Sequence, residues 1–530
     1  METKRSAGSL ALKAVLALFF LFAVLLPLIR MLSNMATTDV GGILSNPQFH
    51  SAALHSLLSS GTATLISVFL AFLLAWCITR SRIRFKEAWC VMFTLPMLIP
   101  SISHGMGLVI LFGSNGILTN WLHLPFTIYG FGGIVIGSVL YSFPVAFLML
   151  LDVLKYEDGT AYEAAAVLGI SKGRQIRSLL LPYLRKPLIS VIFATFTLIV
   201  TDYGVPLMVG GKYMTLPVMM YNEVTGLLDF GEGSVIGACL LIPAVAAFLI
   251  DLFTKESNGQ NFVTRPRSVA PGRGRDVFCT LLCIVAGVLI LLPIAAFVLL
   301  TFVRKYPVDM SFTFQNILKT MDQGAGDYLI NSLIIAFSVA LIGTAVSYLT
   351  AYLTARSRGI SSGLLHLISI TSLAIPGMVL GLSYSLFFGG SFLAGTLSIL
   401  ILVNMVHFFA SPYLMAYNSL GKLNENLEAV GRTLGIGRVR MVLRIFVPQT
   451  RSTLWEMFSY FFVNSMMTIS AVSFLSRRET MPLSLIINQF EKQMQLESIA
   501  FVSLLILAVN LLMKGIIALI RRRAGKKEAA

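Results

Sequence analysis

Residues 155–187 read KYEDGTAYEAAAVLGISKGRQIRSLLLPYLRKP, a short charged stretch between two long apolar segments. A second stretch, 424–451, reads NENLEAVGRTLGIGRVRMVLRIFVPQTR. Both contain Leu-Gly-Ile (Leu168-Gly169-Ile170 and Leu434-Gly435-Ile436), and in both a proline, Pro182 or Pro448, follows thirteen residues after that glycine. Thr160-x-x-Glu163 predicts a capping box that opens a short helix, continued by the strong helix formers Ala164, Ala165, Ala166 and Leu168. Gly169 suits the left-handed conformation that ends a helix. A second helix follows, with Pro182 near its junction with the next apolar segment. The predicted unit is a helix–glycine–helix elbow, basic on its trailing side. One copy would pass for an ordinary connecting loop; two copies at matching places in two halves do not.

Outward from the elbows, the chain is apolar. Of its 530 residues 56% are hydrophobic and 12% charged, with a mean hydropathy of +0.82. Soluble domains carry about 25% charged residues, so this is an all-α integral membrane protein. The apolar runs reach the ~20 residues that a bilayer-crossing helix needs, and the dyad alternation of a β-barrel is absent. The net charge of +16 would point to nucleic acid in a soluble protein. Here the excess of positive charge on cytoplasmic loops accounts for it, and no nucleic-acid partner is expected. Cys77, Cys90, Cys239, Cys279 and Cys283 fall in or beside apolar runs and read as packing residues. Lys4 and Arg5 precede a run, 10–29, that is long for a signal peptide, so an uncleaved first span is expected.

Twelve transmembrane spans are predicted. The first half gives 10–32, 53–78, 90–112, 130–154, 186–208 and 234–254. The second gives 277–303, 329–353, 363–388, 394–417, 453–475 and 497–520. A polar, basic, Gly- and Pro-rich linker at 255–276 separates a first module, 1–254 with its elbow loop at 156–187, from a second, 277–530 with its loop at 419–451. With the N-terminus in the cytoplasm, 32 of the 40 Lys and Arg fall on that side or at its boundary. They include Arg80/Arg82/Arg84/Lys86, Arg356/Arg358, both elbows, the linker, and the tail of Arg521, Arg522, Arg523, Lys526 and Lys527. Both termini and both elbows are thus expected on the cytoplasmic face. The halves repeat each other: Arg80-Ser81-Arg82 aligns with Arg356-Ser357-Arg358 and Pro100 with Pro376 at an offset of 276, and Gly169 with Gly435 at 266. Two six-helix parallel repeats leave a central pathway between them.

The elbow resembles the EAA signature of bacterial ABC importer permeases. Glu163, Ala164, Ala165, Gly169, Leu181 and Pro182 fill the pattern, and Leu179 stands where isoleucine is usual. The second copy departs from it: Ala429, Val430 and Gly431 occupy the Glu-Ala-Ala positions, Glu428 lies one residue early, and Val447 precedes Pro448. Asn426, aligned with Thr160, is the expected helix cap there. Over nearly the whole chain the arrangement looks like the fused permeases of this superfamily, which include importers for ferric ion, thiamine and 2-aminoethylphosphonate. The resemblance implies that the elbows are coupling helices, with Glu163, Ala164, Ala165, Gly169, Pro182, Glu428, Ala429, Gly435 and Pro448 facing two ABC ATPase subunits. It also implies a bacterial cytoplasmic (inner) membrane location and an extracytoplasmic substrate-binding protein, for which the polar loops 210–233 and 304–328 are available. The sequence holds no Gly-x-x-x-x-Gly-Lys-Ser/Thr loop. The chain is therefore read as a transport subunit and not an enzyme, with no cofactor of its own and ATP-Mg bound by partner subunits. The run 456–475 looks most like the phosphonate-type permeases, so 2-aminoethylphosphonate or a related organophosphonate is the first expectation for the solute. Ferric iron, thiamine and polyamine are the alternatives.

Within the spans, Asp202 in Thr201-Asp202-Tyr203-Gly204-Val205-Pro206 is an acid at a costly depth. It reads either as part of a hinge or gate, or as the cap of a broken helix. Asp202 and Tyr203, with Asn464, Thr468 and Ser470 at the matching place in the second half, are the candidates for lining a pathway. His104, Asn404 and His407 read as interhelical bonding groups. A secondary transporter is the alternative from another class. It would need ion-coupling acids at mid-membrane, where Asp202 is the one available. No Ser/His/Asp grouping, paired-carboxylate motif or His-Glu-x-x-His is present, which disfavours an intramembrane enzyme.

Overall fold

The computed structural model describes residues 7–254, 269, 271–357 and 359–528. Lys4, Arg5, most of the predicted linker, Arg358 and the side chains of Arg523, Lys526 and Lys527 lie outside the described residues. Among those described, nine helices are long and apolar enough to cross a membrane, and two bent pairs bring the number to eleven. The one predicted span missing from this count, 453–475, is cut short: the helix Arg451–Met467 ends where Thr468 turns extended (ψ 139°). Four other predicted spans are not continuous. The 90–112 run is split into Lys86–Thr94, Leu95–Leu98 and Ser101–Phe112, and the 363–388 run bends by 105° between Ile360–Ala374 and Gly377–Phe388. In both, a proline (Pro100, Pro376) caps the outgoing helix, and the residue before it (Ile99, Ile375) is driven into the extended region. The 394–417 run bends by 51° between Leu397–His407 and Ala410–Gly421. The fifth span starts earlier than predicted, as Lys172–Val200 growing out of the elbow, and breaks before a separate short helix, Gly204–Val209.

The two halves interlock. The first helix, Leu10–Thr37, packs against the second half's Ile360–Ile370 and Gly377–Phe388. There the buried Lys13 Nζ donates to Ser357 Oγ (2.8 Å) and Ser362 Oγ (2.6 Å), and Tyr384 Oη donates to the Ala23 carbonyl (2.6 Å). The reciprocal helix, Arg273–Thr301, packs against Pro47–Arg80 and Ser101–Phe112 of the first half. The last helix, Leu496–Glu528, reaches across as well: Asn510 Nδ2 donates to the Leu98 carbonyl (2.9 Å), and Ser103 and Ser503 share a hydrogen bond (2.9 Å). Small residues permit such close approach, as at Gly107, where a Cβ would lie 2.8 Å from Pro293 Cβ of the other half.

This interlock places both elbows at one end of the bundle. Leu10–Thr37 starts beside Ser357 and Ser362, next to the second elbow's half, and runs to the far end, where Asn34 Nδ2 donates to the Phe230 carbonyl (3.1 Å). Pro47–Arg80 then returns, bringing Arg80 to the first elbow. At the far end, Ser56 Oγ accepts from Leu216 N (2.8 Å) and its repeat mate Ser332 Oγ from Leu483 N (2.7 Å), each holding a helix that follows a broken fifth span. A two-stranded hairpin, Val303–Lys305 with Asp309–Phe312, lies there; it is the one sheet among the described residues.

Candidate functional site: paired elbows and facing breaks

Each elbow has the predicted plan. Thr160–Val167 ends at Gly169 (φ +70°), with Ile170 N donating to the Ala165 carbonyl (2.9 Å). Leu427–Thr433 ends at Gly435 (φ +69°), with Ile436 N donating to the Gly431 carbonyl (2.8 Å). These six-to-one bonds define a Schellman ending, and the left-handed glycine is what it requires. The second legs, Lys172–Gln175 and Arg438–Met441, run on through one wide π turn each, past Pro182 and Pro448, into the fifth spans. In the first elbow Tyr162 and Ala165 face inward, while Glu163, Ala164, Val167 and Leu168 face out, with Pro182 exposed below. In the second, Ala429, Val430, Leu434 and Pro448 are exposed. Two bare aliphatic residues on each tip, Val167 with Leu168 and Val430 with Leu434, form an apolar lip rimmed by Arg174, Arg177, Arg438 and Arg440.

The capping box does not form. Thr160 is already helical, and Asp158 accepts from its N–H (Oδ1, 3.0 Å) and its hydroxyl (Oδ2, 2.8 Å). In the second elbow Asn424 does the same for Asn426 N (2.9 Å), so the capping residue lies two positions before the predicted Asn426. A carboxylate or amide oxygen two residues upstream outcompetes the threonine because an Asx turn closes locally. The loss of the second alanine at Gly431 also has a cause: a Cβ there would sit 1.8 Å from Met441 Cε, whose side chain is buried. In the first elbow the matching pair is Ala165 and Gln175.

Two ion pairs fasten the elbows, one buried and one part-buried. Arg80, the last residue of its helix, pairs with Glu157, which also accepts from Tyr162 Oη; Arg80 Nη2 further donates to the Leu154 carbonyl (3.3 Å). Arg356 grips Glu428 with two bonds (Nε to Oε1, 2.7 Å; Nη2 to Oε2, 2.5 Å) and donates to the Leu423 (2.8 Å) and Asn424 (2.7 Å) carbonyls. Glu428 thus turns toward the bundle, while Glu163 is exposed. Sequence reasoning took the arginines as part of the positive-inside bias. The signal for their role was the shared 276 offset, but the acids they reach are not at matching positions.

The pathway candidates fall at the breaks of the fifth spans. Asp202 caps Gly204–Val209, accepting from Gly204 N (3.3 Å) and Val205 N (3.0 Å). Tyr203 is fully buried, stacks on Tyr221 (4.9 Å) and shares a 2.6 Å hydrogen bond with Ser473 of the other half. Gly105 and Gly381, repeat mates at offset 276, bring the third spans against these breaks: an added Cβ would lie 3.1 Å from the Val205 carbonyl oxygen and 2.7 Å from that of Ala471. Ser470 Oγ fills the space over Gly377. Thr468 is buried with its carbonyl accepting from Ser484 Oγ (2.6 Å). Asn464 bonds back to the Tyr460 carbonyl (2.7 Å) on its own helix. His104 and Asn404 likewise bond the carbonyls of Pro100 (3.1 Å) and Leu400 (2.8 Å) in their own chain segment, four residues back, where interhelical bonds were expected. Beside Asp202 lies a cavity of about 10 Å³, lined by Ser56, Ser59, Ser60, Ser138 and Thr215, room for roughly one water. Of these candidates Tyr203 reaches across to the other half, at Ser473, while Asp202 bonds within the first half and Ser470 packs on Gly377 within the second.

Comparison with known proteins agrees with the repeat. Residues 63–255 and 343–526 each match the family described as binding-protein-dependent transport system inner membrane component. Over 528 residues the chain is 25% identical to the ferric transport system permease protein FbpB of Actinobacillus pleuropneumoniae, covering 94% of this chain and 76% of that protein. It is 26% identical to the putative ferric transport system permease protein FbpB 1 of Haemophilus influenzae, covering 84% and 73%. The sulfate transport system permease protein CysT of Escherichia coli is 28% identical over 252 residues, 45% of this chain and 87% of that one.

Proposed function

The chain belongs to the family of binding-protein-dependent transport system inner membrane components, and from that premise we propose that it is the fused, two-module membrane subunit of an ATP-driven importer. Each elbow receives one ABC ATPase subunit on the cytoplasmic side, where both termini also lie. ATP and magnesium are bound by those subunits. An extracytoplasmic substrate-binding protein delivers solute at the opposite end, where the loops 210–233 and 304–328 stand. The two modules are 1–254 and 277–530, joined by the basic stretch 255–276. The observation that carries this reading is the pair of left-handed glycines, Gly169 and Gly435, at one end of the bundle, each topped by an exposed apolar lip. A rigid helix pair welded to two spans converts a push at its tip into a tilt of those spans.

Ferric iron is the solute we propose. Two relatives that match both modules are named for ferric transport, whereas the sulfate and thiamine permeases compared with it match at most 45% of the chain. An organophosphonate, the first expectation from the run 456–475, has no counterpart among these relatives and takes second place. The test is reconstitution with the cognate ATPase and binding protein. ATP-dependent uptake of labelled ferric ion, without uptake of 2-aminoethylphosphonate, is the expected result. Solute uptake driven by a proton or sodium gradient with the chain alone would overturn the importer reading.

A further inference from the structure

We propose that Arg80 and Arg356 are positioning residues for energy coupling: each bolts its elbow to the second span of its own half, so a displaced elbow moves three spans instead of two. The inference rests on the importer reading above. By chain connectivity an elbow joins only the fourth and fifth spans, Phe131–Lys155 and Lys172–Val200 in the first half. Arg80 is the final residue of Pro47–Arg80, and Arg356 caps the end of Gly326–Ala355. Each guanidinium therefore carries the elbow's load onto a helix that the elbow's own backbone does not reach.

Three observations separate these contacts from incidental surface bridges. First, they are withdrawn from the surface: side-chain exposure is 7% and 4% for Arg80 and Glu157, both buried, and 5% and 24% for Arg356 and Glu428, a buried guanidinium on a half-buried acid. Exposed pairs are loose and nearly neutral in energy; a buried pair holds one geometry, because breaking it leaves a charge without solvent. Second, each arginine also ends the fourth span. Arg80 donates to the Leu154 carbonyl (3.3 Å) and Arg356 to its repeat mate, the Leu420 carbonyl (3.4 Å), so one planar donor set ties second span, fourth span and elbow together.

Third, the two halves reach the same contact by different residues. The arginines match at offset 276, but at the elbow offset of 266 Glu157 falls opposite Leu423, and Glu428 falls opposite Tyr162. In the first half Tyr162 occupies the Glu428 position and donates its hydroxyl to Glu157, so that position joins the network in both halves. A pairing inherited passively through duplication would keep both partners in register. Here the acid has changed place while the link between span and elbow persists. Arg356 adds a further hold, its guanidinium lying 5.2 Å from the centre of the Phe446 ring on the elbow's second leg.

The experiment uses the full complex with its ATPase subunits and binding protein in proteoliposomes, with hydrolysis and uptake measured on the same preparation. The variants are Arg356→Glu, Glu428→Arg and the exchanged double, with Glu157→Gln as a shape-preserving change in the first half. In the single variants the ATPase subunits stay bound and hydrolysis continues, while solute moved per ATP falls about tenfold, the scale on which broken coupling contacts act. The exchanged double recovers part of that ratio, because it remakes the ion pair but not the bonds from residue 356 to the Leu420, Leu423 and Asn424 carbonyls. An unchanged ratio in an assembled Arg356→Glu complex overturns the proposal. So does a parallel loss of assembly, hydrolysis and uptake that the exchange does not repair, since that is the behaviour of a merely structural bond. Failure of the importer reading is distinguishable, because then the wild-type chain also carries no ATPase subunit.

Discussion

The phenol of Tyr203, in the first half, and the hydroxyl of Ser473, in the second, meet at 2.6 Å across the line where the two broken fifth spans face each other. Neither break is an accident of packing. Asp202 closes one with two backbone N–H bonds, and at the other Thr468 leaves the helix in an extended conformation. The hydrogen bond therefore joins two breaks in the helical backbone, one from each half.

Removing that bond should loosen the contact between the halves. Tyr203→Phe and Ser473→Ala are each expected to lower stability by about 1 kcal/mol, with a double-mutant coupling of similar size. Thermal unfolding of the purified chain in detergent measures this; additive effects would show that the bond contributes nothing.

Gly169 and Gly435 have no atom within 4 Å of a built Cβ, so the penalty for a side chain there is conformational and not steric. Gly169→Leu or Gly435→Leu forces a left-handed backbone on an L-residue, a cost of roughly 1–2 kcal/mol confined to the turn. The double variant is expected to insert normally and to lose uptake, as measured by membrane abundance beside solute accumulation. Gly173→Ala, in a right-handed helix with equal free space, serves as the silent control.

Gly431 makes the opposite case, because Met441 occupies its Cβ space. Gly431→Ala should destabilise by about 1–2 kcal/mol through overpacking. Adding Met441→Gln, which restores the pairing of the first elbow, should relieve most of the loss. Melting curves of the three variants decide it.

Asp202 acts as an acceptor at a helix start. Asp202→Ala is expected to cost about 1 kcal/mol and Asp202→Asn well under half of that, since an amide oxygen caps nearly as well. Unfolding midpoints give the stability, and uptake by the Asn variant shows separately whether the charge has a part in transport.

At the far end, burial lifts the Glu223 carboxyl above the ordinary glutamate range, and the nearby charges of Glu232 and Asp229 push the same way. A raised carboxyl disfavours ionisation in the folded state, so its destabilising effect is absent below the ordinary value and grows as pH rises through the folded one. Glu223→Gln should therefore raise the melting temperature at neutral pH and leave it unchanged below about pH 4. A pH series on the two proteins measures it.

Much of this was legible in the residues. Leu-Gly-Ile between two helix-forming stretches specifies the turns at Gly169 and Gly435, because only a left-handed residue ends one helix and starts another so abruptly. The duplication and the apolar run lengths gave the helical membrane class. The breaks at Pro100 and Pro376 were visible as aligned prolines, yet hydropathy averaged over them and read whole spans. The oxygen of Asp158 was missed because Thr160 and Glu163 satisfy a motif whose geometry it pre-empts, and that of Asn424 because Asn426 aligns with Thr160. The Arg80–Glu157 and Arg356–Glu428 pairs were beyond sequence reading, since the acids do not follow the repeat. Which helix an apolar face meets is likewise unwritten in that face.

The embrace of Leu10–Thr37 by Ile360–Ile370 and Gly377–Phe388 bears on how the protein is made. A ribosome delivers Lys13 more than three hundred residues before Ser357 and Ser362, its hydrogen-bond partners, exist. Through that interval the face of the first helix that meets the second half has only lipid, or an insertion chaperone, to shelter it, although Phe230–Thr254 of its own half joins its far end earlier. One continuous polypeptide ensures that the awaited partner emerges from the same ribosome, into the same patch of bilayer.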